Sequence, residues 1–239
     1  MQSNPNYLGR FSLGTYSVRL NRNCGALYCD FCGLRTVNDP DVALFMVISV
    51  GNAKTGLNKE SLNACVFCSQ ALTLSPDCMA DGVLYLLPDL DQASVIRLVV
   101  AANCFVFAEQ LSDKNMPNDT RQMQVQFRAR CVKAGRVFLD TLSRLGGERT
   151  TAVSRQAIFS QDLASQLRNL ESGEPQILAL KNASKSLRFV PIMSARNMPI
   201  INFLSKTHWG LPESFARCIT AFENVQRKLA ERGLQNPPS

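Results

Sequence analysis

The spacing of apolar positions changes part-way along the chain, and the change divides it. Over the first ninety residues apolar side chains alternate with polar ones or stand in short blocks, as strands require. Phe11, Leu13, Tyr16, Val18 and Leu20 flank Gly14 in the manner of a short hairpin. The segment 43–50 reads Ala-Leu-Phe-Met-Val-Ile-Ser-Val, a compact run rich in strand formers. A turn, Asn38-Asp39-Pro40-Asp41, precedes it, the loop Gly51–Gly56 follows it, and Val83–Leu87, closed by Pro88, reads as a last strand.

Beyond residue 90 the apolar period lengthens to that of helices. Asp91 is placed to cap a helix over 92–112 that is apolar on nearly every side. Asn118 or Asp119 starts a second helix running to Leu145 and ended by Gly146-Gly147. Its Met123, Phe127, Cys131, Phe138 and Leu142 recur at helical spacing and mark a buried stripe. A third helix is expected over 152–170, whereas 174–205 carries Pro191 and Pro199, which break any long element. Pro212 opens a last helix with a stripe of Phe215, Ile219, Phe222, Val225 and Leu229. The pattern predicts an α+β chain: a β-rich region over 1–90 packed on a helical region over 91–234, with a frayed tail over 235–239.

Composition narrows the class. Of 239 residues 46% are hydrophobic and 19% charged, which suits a globular chain with a proper core. The longest apolar run, Leu98–Ala108, contains Asn103 and falls short of the roughly 18 residues of a membrane span. The opening Met-Gln-Ser-Asn-Pro-Asn lacks the basic start and apolar stretch of a signal peptide. Nine cysteines, an odd number without an export signal, point to reduced thiols inside the cell, in cytoplasm or nucleus.

Four of those cysteines share one formula, Cys29-Asp-Phe-Cys32 and Cys65-Val-Phe-Cys68. A Cys-x-x-Cys turn aims two sulfurs at one point, and two such turns supply the four thiolates of a tetrahedral Zn²⁺ site. Zinc is expected because thiolates are soft ligands and four of them close a redox-inert shell. The spacing resembles a zinc ribbon over residues 24–70, with the run at 43–50 as the strand that joins the knuckles. That resemblance rests on the cysteines and names a structural type. Cys24, Cys78 and His208, the lone histidine, stand as substitute ligands. Cys24-x4-Cys29-x2-Cys32 with a distant Cys65 also follows the order of [2Fe–2S] ferredoxins, although the loop after Cys24 is bulky for a cluster. Buried free thiols are the plain alternative, and Cys104, Cys131 and Cys218, on apolar helical faces, are read as core. Phe31 and Phe67, at matching places in the two pairs, either stack on unpaired bases or close the knuckle core.

Charge is uneven within a net of +7. Residues 1–94 hold six Lys/Arg against eight Asp/Glu, and 95–239 hold twenty against eleven. Arg121, Arg128, Arg130, Lys133, Arg136 and Arg144 cover the arc opposite the apolar stripe of the second helix, with Asp140 the one acid in that span. Such a face suits phosphate contacts, though a solvated bundle face or a membrane-surface helix would share the pattern. Lys181, Lys185, Arg188 and Arg196 would extend the surface.

Catalysis finds little support. His208 sits in no motif, and Gly51-Asn-Ala-Lys-Thr-Gly56 fails as a phosphate loop because Leu57 and Asn58 stand where Lys and Ser/Thr belong. Nucleophile-elbow, zincin, dinucleotide and deaminase patterns are missing. The expectation is a non-catalytic zinc protein binding RNA or single-stranded DNA, of the kind found among viral nucleoproteins and regulatory proteins. The rival is an assembly scaffold of matrix, tegument or capsid type, working through protein contacts or self-association.

Overall fold

A computed structural model describes residues 16–50, 60–73, 81–88, 90–107, 118–151, 186–207 and 212–235. The first turn of the expected hairpin, the loop 51–56 and the helix expected over 152–170 lie outside the described residues.

Strands and helices are both present, so the chain is α+β. The strands are β1 (Tyr16–Leu20), β2 (Gly25–Tyr28), β3 (Arg35–Asn38), β4 (Phe45–Val50), β5 (Glu60–Cys65), β6 (Gly82–Leu86) and β7 (Leu187–Pro191). The helices are α1 (Val66–Thr73), α2 (Gln92–Phe107), α3 (Asn118–Thr151), α4 (Asn197–Thr207) and α5 (Pro212–Gln235). Among the described residues all strand pairing is antiparallel, in three sheets: β1-β4-β5, β2-β3 and β6-β7. The apolar run over 43–50 is thus the middle strand β4, with Phe45 opposite Cys65 and Ile48 opposite Leu62.

Val83–Leu87 is not the last strand. Its partner is β7, about a hundred residues on, with Leu84 opposite Phe189. The ribbon they form is a shared wall. Leu84, Leu187 and Phe189 enter one hydrophobic cluster, while Val190 enters the other with Val83 and Tyr85 packed against it, as the two-residue strand period demands. The first cluster gathers Phe45, Ile48 and Phe67 with Ile96 and Val100 of α2 and Ile200 of α4. The second joins Val99 and Phe105 of α2 to Phe138 of α3 and Phe222 of α5. Phe222 is its hub, stacked on Phe138 at 5.3 Å and edge-on to Phe105 at 6.4 Å.

The cap foreseen at Asp91 is made: its two carboxylate oxygens accept from Ser94 N–H and the Ser94 hydroxyl at 2.7 and 2.8 Å. Beside it, the Gln92 amide pairs like a strand residue with the Phe189 backbone, donating to its carbonyl and accepting from its N–H, both at 2.8 Å. This bond pair fastens the start of α2 to β7. Pro199 falls in the first turn of α4, where its missing N–H costs nothing, and Pro191 ends β7.

Three expectations need correcting. First, α3 runs through Gly146-Gly147 to Thr151, because glycine lowers helix propensity by about 1 kcal/mol without removing a ladder donor. Second, Phe127 is exposed, as is Val125. Among the described side chains the buried stripe of α3 runs through Cys131, Phe138 and Leu142, and the side chain of Met123 lies outside the described residues. Third, Arg188 is not part of a basic surface. It is 2% exposed, on a strand buried at every position, and its guanidinium donates to the Leu90 and Leu187 carbonyls. Burial pulls its pKa down, and the Asp91 carboxylate counters that. Arg196 is spoken for as well, paired with Asp81 at 3.4 Å.

Candidate metal centre

The two cysteine pairs are presented by different local structures. Cys29 follows β2 and Cys32 sits in the turn before β3, held by Cys29 N–H to the Leu34 carbonyl at 2.8 Å and Gly33 N–H to the Cys29 carbonyl at 2.9 Å. Gly33 has φ of 73°, a left-handed conformation that glycine adopts without a Cβ penalty. The second pair is not a turn between strands. Cys65 ends β5, and Cys68 lies in the opening turn of α1, a helix buried at all eight positions. The twin formula in the sequence therefore hides a hairpin knuckle facing a strand–helix junction.

What brings the pairs together is polar. Asp30 N–H donates to the Asn63 carbonyl at 2.8 Å, and Asn63 N–H donates to the Asp30 carboxylate at 2.6 Å. This clamp ties the first knuckle to β5 two residues before Cys65. Asn21 donates to the Asn63 side chain at 3.0 Å, and Asn38 closes the far end of the hairpin by donating to the Asn21 and Asn23 carbonyls at 3.0 and 2.8 Å. α1 is anchored from below by Gln70, whose amide donates to Asp81 at 3.3 Å and to Asn197 at 3.2 Å. Sequence reasoning missed Asp30 and Asn63, although an acid between two ligand cysteines is the kind of signal a knuckle offers.

Cys29, Cys32, Cys65 and Cys68 converge with all four sulfurs within 4.8 Å of one another, and none is more than 3% exposed. Cys32 Sγ and Cys65 Sγ are 3.7 Å apart. Four thiolates at about 2.3 Å from one ion stand roughly 3.8 Å apart, so the spacing fits a single tetrahedral metal ion. Burial opposes ionisation of Cys29, but the three thiols around it override that and hold its pKa well below the ordinary thiol value. Burial and the adjoining Cys29 and Cys32 sulfurs push Cys65 and Cys68 well above it. Four thiols this close would lose their protons to a bound cation, since the thiolate is the form that ligates. Bound to one ion, the four sulfurs would fill a tetrahedral shell by themselves, as structural sites do.

Cys24 is exposed and does not join the group, so the ferredoxin-like ligand order is not assembled. Sulfurs this close also leave no space for two irons with bridging sulfides. Cys78 and His208 lie outside the described residues. Phe31 and Phe67 are buried in the core around the sulfurs, which removes both as base-stacking surfaces. The exposed aromatic at the knuckle is Tyr28, at 58%, with exposed Arg35 directly across the hairpin. Cys104, Cys131 and Cys218 are core, as expected. Burial raises Cys131 to about 11 and Cys218 to about 12, and holds Cys104 well above an ordinary thiol.

Of the expected phosphate contacts, Arg130, Lys133, Arg136 and Arg144 are exposed on α3, and Arg128 is half-buried. The side chain of Arg121 lies outside the described residues, as do Lys181 and Lys185. The exposed Asp140 remains the one acid between Gln122 and Arg144. Among the described residues Arg130, Lys133, Arg136 and Arg144 take part in no ion pair. No helix among the described residues is long and apolar enough to cross a membrane.

Fold and site together define an α+β protein with a closed tetracysteine centre able to hold a metal ion. Comparison with protein-family models and with curated proteins found no match.

Proposed function

We propose that the chain is a zinc protein of the two-knuckle kind that binds single-stranded nucleic acid without catalysing a reaction. Zinc is the ion that four closed, soft thiolates favour, and its part is structural. The observation that carries the nucleic-acid reading is the exposed cationic stripe of α3, Arg130, Lys133, Arg136 and Arg144, backed by a buried apolar stripe. Cations that are exposed and unengaged by protein acids suit phosphates, whose contacts are strong, salt-sensitive and indifferent to sequence. Tyr28 with Arg35 adds an aromatic and a cation of the sort that hold an unpaired base.

The test is binding of a labelled twelve-nucleotide RNA across a salt series. Four phosphate contacts predict a log–log slope of roughly −3, and Arg130→Glu with Arg136→Glu should flatten it by about half. A flat salt response of the native chain would sink the reading. A scaffold role is the second reading, and exposed Val125, Phe127 and Val137 on α3 favour it. It predicts a self-assembly in light scattering that survives nuclease.

A further inference from the structure

A groove of about 550 Å³ lies between the first half of α2 and the middle of α5. Its α5 wall is one helical stripe, Cys218, Ala221 and Val225, and its α2 wall is Leu98 and Ala101. These five make an apolar floor. Phe222, next to Ala221 in the chain, points the other way and is fully buried against Phe105 and Phe138, so the floor has a rigid backing.

The rim is cationic. Arg97, Arg217 and Lys228 line it, and all three are exposed. Among the described residues the one acid in the lining is Asp91, and it already has partners. Both of its oxygens cap α2 through Ser94, and the buried Arg188 guanidinium interacts with it electrostatically. Among the described lining residues, three cations stand over an apolar cleft against this one carboxylate, to which Arg97 is linked through the Ser94 hydroxyl at 3.5 Å. The stripe of α3 plays no part, since none of its cations lines the groove.

We infer that this groove binds a single-chain anionic amphiphile, its apolar chain laid on the floor and its carboxylate or sulfate head held at the Arg97, Arg217 and Lys228 rim. A wholly polar ligand such as a nucleotide would leave the floor uncovered, and a neutral chain would leave the cations unanswered. The volume lies within the roughly 300–1,000 Å³ of small-ligand sites, which suits one chain and not a patch of bilayer.

The test titrates the full chain with laurate below its micelle concentration, using 1-dodecanol as the neutral chain of equal length. Laurate should bind one to one, and dodecanol about tenfold more weakly or not at all. Arg217→Glu should weaken laurate about tenfold while far-ultraviolet circular dichroism stays unchanged, and Ala221→Trp should block the floor. If Ala221→Trp fails to fold, the exposed Arg217 site decides alone. Equal affinity for laurate and dodecanol would overturn the assignment, and so would laurate affinity indifferent to Arg217→Glu. Capture by phosphatidylglycerol vesicles with no binding of free laurate would overturn it too, since the ligand would then be a membrane surface.

Discussion

The core around the four cysteines and the core around Phe222 are built from different materials. The first is reached by strands of four to six residues and a one-sided hairpin, covered by the buried α1 and by one face each of α2 and α4. Sulfurs occupy its centre where aliphatic side chains would otherwise stand. The second lies among helices of 16, 34 and 24 residues and closes on a trio of phenyl rings. The helical core is packed apolar side chains, whereas the cysteine core adds to its own apolar packing four thiols that one metal ion would bridge. If such an ion is bound, the β region should depend on it and the long-helix region should not.

The largest expected effect follows directly. Apparent binding energies of structural zinc are about 10–16 kcal/mol in small zinc-folded peptides, comparable with the whole stability of a domain at about 5–15 kcal/mol. Stripping the metal with a strong chelator, or replacing Cys65 with Ser, should abolish hydrogen-exchange protection in β2, β3, β5 and α1. The amides of α3 and α5 around Phe222 should lose far less. Protection that survives chelation in both regions would break the comparison, because the thiols would then cohere as ordinary core. Native mass spectrometry gives the companion check, one zinc per chain in the native protein and none in Cys65→Ser.

A smaller effect probes the wall between the two cores. Gly82 on β6 lies under the Phe189 ring so closely that an added methyl would fall inside it. Phe189 is fully buried and pinned by Gln92 at both backbone groups, so it has little room to yield. Gly82→Ala should cost about 1–3 kcal/mol, read as a lower midpoint in denaturant at unchanged slope. Because β7 sends Phe189 to one core and Val190 to the other, both regions should loosen together. Loosening of the cysteine core alone would mean that the ribbon is not a shared wall.

The cysteine pairs and the helical stripes were readable because both are local patterns. Two thiols three residues apart, or an apolar stripe from Cys131 to Leu142, state their geometry within one or two turns of chain. The β6–β7 ribbon was not readable, because its strands stand about a hundred residues apart and β7 carries an arginine at its second position. Nothing local says that Arg188 is inside; the Leu90 carbonyl and Asp91 that receive it come from another element. The Asp30–Asn63 clamp escaped for the same reason. The apolar period of α3 also overstated its buried face, since Phe127 keeps the spacing beyond the point where α2 and α5 supply neighbours.

The smallest expected effect separates the stripe of α3 from both cores. Arg130, Lys133 and Arg136 succeed one another at three-residue spacing, so each like-charged pair costs a few tenths of a kcal/mol. Arg130→Glu turns its pairing with Lys133 from repulsive to attractive. Arg136→Glu does the same with Lys133 but forfeits the favourable spacing to Asp140 and sets two acids four residues apart. Two pairs turn favourable and one turns unfavourable, a net gain of a few tenths of a kcal/mol, and the side chains are exposed, so the double variant should melt no lower than the native chain and within about 2 °C of it. An unchanged melting point would mean that the stripe adds nothing to folding, as the proposed polyanion surface requires. A melting point lowered well beyond that margin would instead make the stripe part of the helical core's architecture, and the polyanion reading would lose its main support.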